Sequence, residues 1–264
     1  MLPSFEKPPI AEVAIGVQFA HNVALGTLDY ADVWAEFGKD DYPTYAEVPP
    51  LAPLAAFGQQ TLINVGLPIM PPTPRYWFQS KDENGLIQLQ ANRLIYNWRQ
   101  SPAGNRPYPR YESVVESFFK NYDIYSTFVS TKGHAVLPQL AEIAYVNIVT
   151  MGQDGFDEIG DILNGSFNLT AGPDLPKPAG VQFAWQHYLS ELNTFLNVTV
   201  TSLQAQEVPT VRIEISAFGP VDASNGADAV ATLHAWFDDV RGRIVTLFKD
   251  ITTTKAHQVW GLKA

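Results

Sequence analysis

The sequence predicts an α+β protein made of two pseudo-repeated β-α-β-β-β-α units, with antiparallel sheets covered by helices. Three observations predict it. Several short segments alternate apolar and polar residues at period two, and a few longer ones carry apolar residues at three-four spacing. The order of these segments then runs through the chain twice, dividing it into a first unit at 1–132 and a second at 133–264.

The first unit opens on Ile10 to Phe19, where Val13, Ile15, Val17 and Phe19 share one face of a strand. Leu28 to Phe37 has helical spacing at Val33, Trp34 and Phe37, with Asp29 as its cap. From Tyr42 to Pro74 the chain holds eight prolines, a density that excludes a long helix and leaves room for a short strand near Thr61 to Val65. A meander follows, with strands at Arg75 to Lys81, Leu86 to Gln90 and from Leu94 on. Asn84-Gly85 marks the first turn. The second turn falls at Ala91-Asn92-Arg93. There the apolar phase shifts from Ile87, Leu89, Ala91 to Leu94, Tyr96, Trp98, and one uninterrupted strand would throw half its apolar set into water. Tyr111 to Tyr122 is a helix with Val114, Val115, Phe118, Phe119 and Tyr122 in its stripe.

The second unit repeats the order. Ala141-Glu142-Ile143-Ala144 echoes Ala11-Glu12-Val13-Ala14 at a distance of 130 residues. Phe156 to Leu163 reads as a short helix, and Pro173, Pro176 and Pro178 mark another Pro-rich connection. Strands follow at Val181 to Leu189, Phe195 to Gln204 and Thr210 to Phe218. Asp228 then opens the longest helix, striped by Val230, Leu233, Phe237, Val240, Ile244, Leu247, Phe248 and Ile251.

Composition narrows the function classes. The 264 residues are 46% hydrophobic and 12% aromatic, ample for a packed core, and only 17% charged. A formal net charge of −10 sets up a field that repels phosphate backbones, so broad nucleic-acid binding is not expected. With no cysteine, thiol nucleophiles, disulfides and cysteine-ligated metals are excluded, which suits a reducing cytoplasm. No secretory leader and no membrane-length apolar run are seen, so neither a membrane partner nor export is expected. Nucleotide-binding glycine loops, a Gly-x-Ser-x-Gly elbow and a His-Glu-x-x-His pair are all missing, and the five histidines are scattered. No cofactor and no metal are therefore expected. His234 and Asp238 sit four apart on the long helix, where a solvated pair is the ordinary outcome.

One stretch departs from the acidic background. Between Glu83 and Glu112 there is no carboxylate, while Arg93, Arg99, Arg106 and Arg110 occur among Tyr96, Trp98, Tyr108, Tyr111 and several amides, Asn97 included. Guanidinium forks suit phosphate or carboxylate, rings offer stacking faces, and amides read hydrogen-bond patterns. Arg93, Asn97, Trp98, Arg99, Arg106, Tyr108 and Arg110 form the candidate ligand-binding set. The ordinary reading of the same residues is structural, with Trp98 in the core and the arginines paired to carboxylates elsewhere; a protein–protein surface is a further reading.

The motifs also resemble those of a family. Pro8-Pro9-Ile10-Ala11-Glu12-Val13, Tyr42-Pro43 with Pro49-Pro50, Trp77-Phe78, Gln88-Leu89-Gln90, Asn97-Trp98-Arg99, Tyr108-Pro109-Arg110-Tyr111 and His257-x-x-Trp260-Gly261 are similar to blocks of a sporadically distributed prokaryotic family of uncharacterised function. The likeness implies a prokaryotic cytoplasmic protein. It brings no activity, cofactor or catalytic residue. The patchy distribution suggests a mobile-element or defence context.

Three functional expectations follow. The first is a binding or regulatory module for a small anionic ligand or a protein partner, at the Arg/aromatic patch or where the two units meet. The second is an enzyme on a phosphorylated or nucleotide substrate, using two or more of His187, His257, Arg99 and Arg110 in one cleft. The third is a homo-oligomer subunit, a homodimer in its simplest form, joined through edge strands. His257 and the terminal Trp260 also read as a hydrophobic latch.

Overall fold

A computed structural model describes residues 2–54, 74–101, 107–165, 179–203, 208–221 and 228–263. The strands are β1 (Ser4–Phe5), β2 (Ile10–Phe19), β3 (Thr44–Val48), β4 (Arg75–Gln79), β5 (Gly85–Gln90), β6 (Arg93–Arg99), β7 (Pro138–Thr150), β8 (Gly180–Leu189), β9 (Thr194–Leu203), β10 (Thr210–Pro220) and β11 (Leu262–Lys263). Four helices lie among the described residues: α1 (Thr27–Phe37), α2 (Tyr111–Thr131), α3 (Ala229–Ile251) and α4 (Thr254–Trp260). The α+β class is thus established. The strand proposed near Thr61 to Val65 and the second Pro-rich connection lie outside the described residues.

Nine strands form one antiparallel sheet in the order β3-β4-β5-β6-β2-β7-β10-β9-β8. The strands of the two halves therefore join in a single sheet, because β2 pairs directly with β7 along most of its length. At the middle of that seam Ala14 lies opposite Ala144. On either side the order mirrors itself: β6 and β10 flank the pair, then β5 and β9, then β4 and β8.

Period-two patterning decides the two faces. Val13, Ile15 and Val17 of β2, Ile143 of β7, Ile213 and Ile215 of β10, and Leu94 of β6 are at most 1% exposed and belong to one core cluster. In the same cluster are Val114, Phe118 and Tyr125 of α2 and Leu233, Phe237 and Val240 of α3. α2 contacts β6 and β2, while α3 contacts β7 and β10. The two long helices meet at Phe118 and Phe237, whose rings sit edge to face at 5.4 Å.

Helix ends follow capping chemistry. Asp228 accepts hydrogen bonds from the amides of Val230 and Ala231 and so starts α3, as its sequence position predicts. Asp29 does not cap α1 from the N-cap position; it lies inside the first turn and accepts from the amide of Gly26. α2 runs nine residues past Tyr122, because Tyr125, Phe128 and Val129 continue its apolar stripe. The helix expected at Phe156 to Leu163 is only a single 3-10 turn, Ile159–Asp161. Gly160 weakens any helix there, and the Asp161 carboxylate folds back onto the amides of Asp157 and Glu158.

The two ends of the chain are clasped together. β1 pairs with β11, and the amides of Glu6 and Lys7 donate to the carbonyls of Gly261 and Trp260. Gly261 ends α4 in the left-handed conformation, which glycine adopts without a Cβ penalty. Trp260 is buried against Phe248, with ring centroids 5.3 Å apart, and against Phe5 and Phe156. The latch expected of it is present. Lys255 bonds to the Asp161 carboxylate at 2.8 Å, and Thr253 donates to the Asp161 carbonyl, so the 3-10 turn is fastened to α4.

Two predictions follow from these contacts. The Lys255 ammonium, then the two backbone amides, lower the Asp161 carboxyl from 3.8 to about 2. A depressed folded-state value means stability that is present above about pH 4 and lost as the pH falls toward about 2. Asp161→Asn should therefore flatten that part of the acid limb in a denaturant series run at stepped pH. Gly16 faces Glu142 and Ile95 so closely that an added Cβ would come within 2.8 Å of both side chains. Gly16→Ala should lower the unfolding free energy by about 1–3 kcal/mol in urea melts.

A candidate anion-binding face

The sheet face away from the core cluster carries most of the polar residues of β4, β5, β6 and β2, together with Glu142 of β7. Alternation puts Arg93, Ile95, Asn97 and Arg99 on it, and Leu94, Tyr96 and Trp98 on the other. Neighbouring strands add Arg75 and Trp77, Gln88 and Gln90, Glu12 and Glu142. The polar groups there are heavily desolvated: Gln88, Gln90, Arg93 and Asn97 are each 8% exposed or less.

A connected chain of hydrogen bonds satisfies most of them. Arg75 Nη1 donates to Gln88 Oε1 at 2.6 Å, and the Trp77 indole donates to the same oxygen at 3.1 Å. Gln88 Nε2 donates to Asn97 Oδ1 at 2.6 Å, and Asn97 Nδ2 to Glu12 Oε1 at 2.5 Å. Each amide is oriented by a charged group at the end of the relay, a cation at Arg75 and a carboxylate at Glu12. Gln90 accepts from the amide of Leu51, and Arg93 donates to the Ala52 carbonyl, so Leu51 and Ala52 cross this face.

The candidate residues named from sequence separate into three groups. Arg93 is committed to Glu142: both nitrogens of its fork donate to the two carboxylate oxygens. Their side chains are only 6% and 16% exposed, which makes this a buried pair. Asn97 belongs to the relay and Arg99 lies at its margin. Trp98 instead turns into the core and packs edge-on to Tyr108, 5.3 Å away. Burial raises the Tyr108 phenol well above its usual range. Arg110 donates to the carbonyls of Phe5 and Glu6, tying the start of α2 to the terminal clasp. Trp98, Tyr108 and Arg110 share a groove of about 560 Å³ with Lys7, Pro8 and Pro9. Arg106 lies outside the described residues.

Arg99 differs from the other described arginines of the set. Its guanidinium stands over the Trp77 indole, 5.8 Å from the ring centroid, with no hydrogen-bond acceptor or carboxylate partner among the described residues. Arg75 stacks on the same indole at 5.4 Å. The Nε of Arg75 is buried without an acceptor. Burial, and then the like charge of Arg93, pull Arg75 below the usual guanidinium range. Among the described residues three guanidiniums thus face two carboxylates, and one positive charge is left uncompensated there.

Sequence reading missed Arg75, Trp77 and Glu12 as parts of this face. Their phase on β4 and β2 was the available signal, but the strand order that aligns them was not. The four residues of the catalytic alternative do not all gather: Arg110 and His257 both lie at the terminal clasp, on either side of Phe5, while His187 and Arg99 lie elsewhere in the sheet. His187 lies on β8, five strand positions from Arg99 on β6, about 24 Å across the sheet. His257 is held in the clasp: its Nε2 lies 3.0 Å from the Lys249 carbonyl and 2.9 Å from the Thr252 hydroxyl. A carbonyl only accepts, so Nε2 carries the proton. His234 stacks flat on Phe119 at 4.6 Å, with Asp238 3.8 Å away. Among the described residues no group of three or more His, Asp or Glu side chains is placed to hold a metal ion, and no helix is long and apolar enough to cross a membrane.

Comparison with family models, with curated proteins and with solved structures gives no match. The family likeness described above rests on its quoted motifs alone.

Removing one member of a buried ion pair strands the other. Arg93→Met should cost about 3–5 kcal/mol in chemical unfolding. The double replacement Arg93→Met with Glu142→Met should recover most of that loss, since no lone charge remains buried.

Proposed function

We propose that this protein is a binding module for a small anionic ligand, held at the face formed by Arg75, Trp77 and Arg99. One observation carries this reading. In a chain of net charge −10, a half-buried guanidinium at Arg99 is left with an aromatic face and, among the described residues, no carboxylate. A ligand carboxylate or phosphate would supply the missing acceptor, with Gln88 and Asn97 already oriented nearby. The acidic surface restricts such a site to small anions, because a long polyanion would meet repulsion beyond the face.

The reading includes a duplicated scaffold, whose two units are 1–132 and 133–264. Supporting it, the mirrored strand order turns about the Ala14–Ala144 pair, and those residues are 130 positions apart, the offset of the four-residue echo. The contact between the long helices of the two units at Phe118 and Phe237 is consistent with the duplication. The helices would cover the apolar face of both halves and leave the opposite face to the ligand. Duplication with later divergence explains why Arg99 has Phe218 as its counterpart on β10: each is paired to the glutamate of the echo, Glu12 or Glu142.

The test combines native mass spectrometry, which reports any retained small molecule, with calorimetric titration of inorganic phosphate at low ionic strength. Arg99→Ala should abolish the binding and shift the melting temperature by less than about 2 °C, as expected of a partly exposed side chain without a partner. A fall in melting temperature as large as that of Arg93→Met would mark Arg99 as structural and end the proposal.

A further inference from the structure

Arg75 and Arg99 reach the same indole from opposite ends of the strand that carries it. Trp77 is level with Gln88 on β5 and Ile95 on β6. Arg75 lies two residues to one side of that level, beside Gln90. Arg99 lies four residues to the other side, where its amide donates to the Asn84 carbonyl. Their guanidinium carbons stand 5.4 and 5.8 Å from the ring centroid, so they are at most about 11 Å apart. Arg93 does not compete for an incoming anion, because Glu142 occupies its fork.

Resting on the anion-binding reading above, we propose that the ligand is two-headed: a compact molecule with two carboxylate or phosphate groups. One head is held by Arg75 and the other by Arg99, and the linking atoms pass along Trp77. Each guanidinium has unfilled donor capacity of its own. Among the described residues Arg99 has all its side-chain donors free, and Arg75 gives one Nη1 bond to Gln88, which leaves its Nη2 donors for a ligand. One anionic group could reach both only if the forks converged on one point, whereas Arg75 comes to the indole from one end of the sheet and Arg99 from the other. Once the first head is bound, the second binds at high effective concentration, provided the linker spans the gap. A linker too short to span it, or much longer than the gap, loses that advantage. Trp77, as the floor, supplies apolar contact to a methylene or ring spacer. Its indole N–H is already given to Gln88, so it reads no polar group of the spacer.

The experiment is calorimetric titration of the whole protein, at low and at high salt, with straight-chain α,ω-dicarboxylates from succinate to suberate. The monocarboxylates of matching length, butyrate to octanoate, serve as controls. The expected result is an affinity optimum at one intermediate dicarboxylate, about tenfold or more above its monocarboxylate. Arg75→Gln and Arg99→Gln should each reduce that dicarboxylate to the level of the monocarboxylate, and the gain should shrink at high salt. Thermal melts of both variants verify folding. Should mono- and dicarboxylates bind equally, with Arg99→Gln alone removing both, the two-headed ligand is excluded while the anion site stands. Should neither class bind in an Arg99-dependent way, both proposals fall.

Discussion

The Arg93–Glu142 pair is the contact on which the arrangement of this sheet depends. It joins β6 of the first half to β7 of the second over the strand between them. That reach is open because the residue beneath it is Gly16, whose missing side chain leaves a channel between Glu142 and Ile95. A bidentate pair with little solvent is strongly directional, so it sets register as well as adding energy. A slip of one residue along β2·β7 would turn Glu142 toward the apolar core and leave Arg93 buried alone. The central seam is therefore specified twice, by the apolar alternation on one face and by this ion pair on the other.

The polar face around that pair runs against the usual economy of a sheet. Buried amides and guanidiniums cost free energy unless each donor and acceptor is matched. Here Gln88 and Asn97 are matched through a relay that ends on charges, and most of the network is closed. The mismatch is confined to Arg75 and Arg99 on either side of Trp77. A network otherwise satisfied, with surplus positive donors gathered in one place, is what an incoming anion would complete. On the anion-binding proposal, it is that concentration of unsatisfied capacity, more than the number of arginines, that would distinguish the face from a structural salt-bridge cluster.

The terminal motifs have a different role. Pro8-Pro9, Tyr108-Pro109-Arg110-Tyr111 and His257-x-x-Trp260-Gly261 are far apart in sequence yet meet at one end of the sheet. Arg110 bonds the carbonyls of Phe5 and Glu6, and the next amides of that segment bond back to Trp260 and Gly261. Arg110 holds a left-handed backbone angle of 77°, a strained state for a residue with a side chain. Its two side-chain bonds to the clasp offset part of that strain. These contacts explain the residue choices by fastening the chain ends, without calling on a ligand.

How much was legible in the sequence depended on whether the governing interaction was local. Periodicity and turn chemistry located β2, the β4-β5-β6 meander, β8 to β10, and the start of α3, since alternation, Asn84-Gly85 and Asp228 act within a few residues. The helix at Phe156 to Leu163 failed because Asp161 and Lys255, 94 residues apart, settle that turn instead. Within the candidate site, the alternation of β6 already separated Asn97 and Arg99 from Trp98, and the absence of carboxylates drew attention to β6. Tertiary structure alone decided that Arg93 is spent on Glu142 and Arg110 on the chain terminus. It also brought Arg75 and Trp77 beside Arg99. Residue types and local phase are properties of a single segment, and so the sequence by itself determined the α+β class, most of the longer strands and the local run of cations; β3 (Thr44–Val48), inside the Pro-rich stretch, it did not show. Which cation finds a carboxylate is a property of strand order and register, and these are set only when the whole core closes.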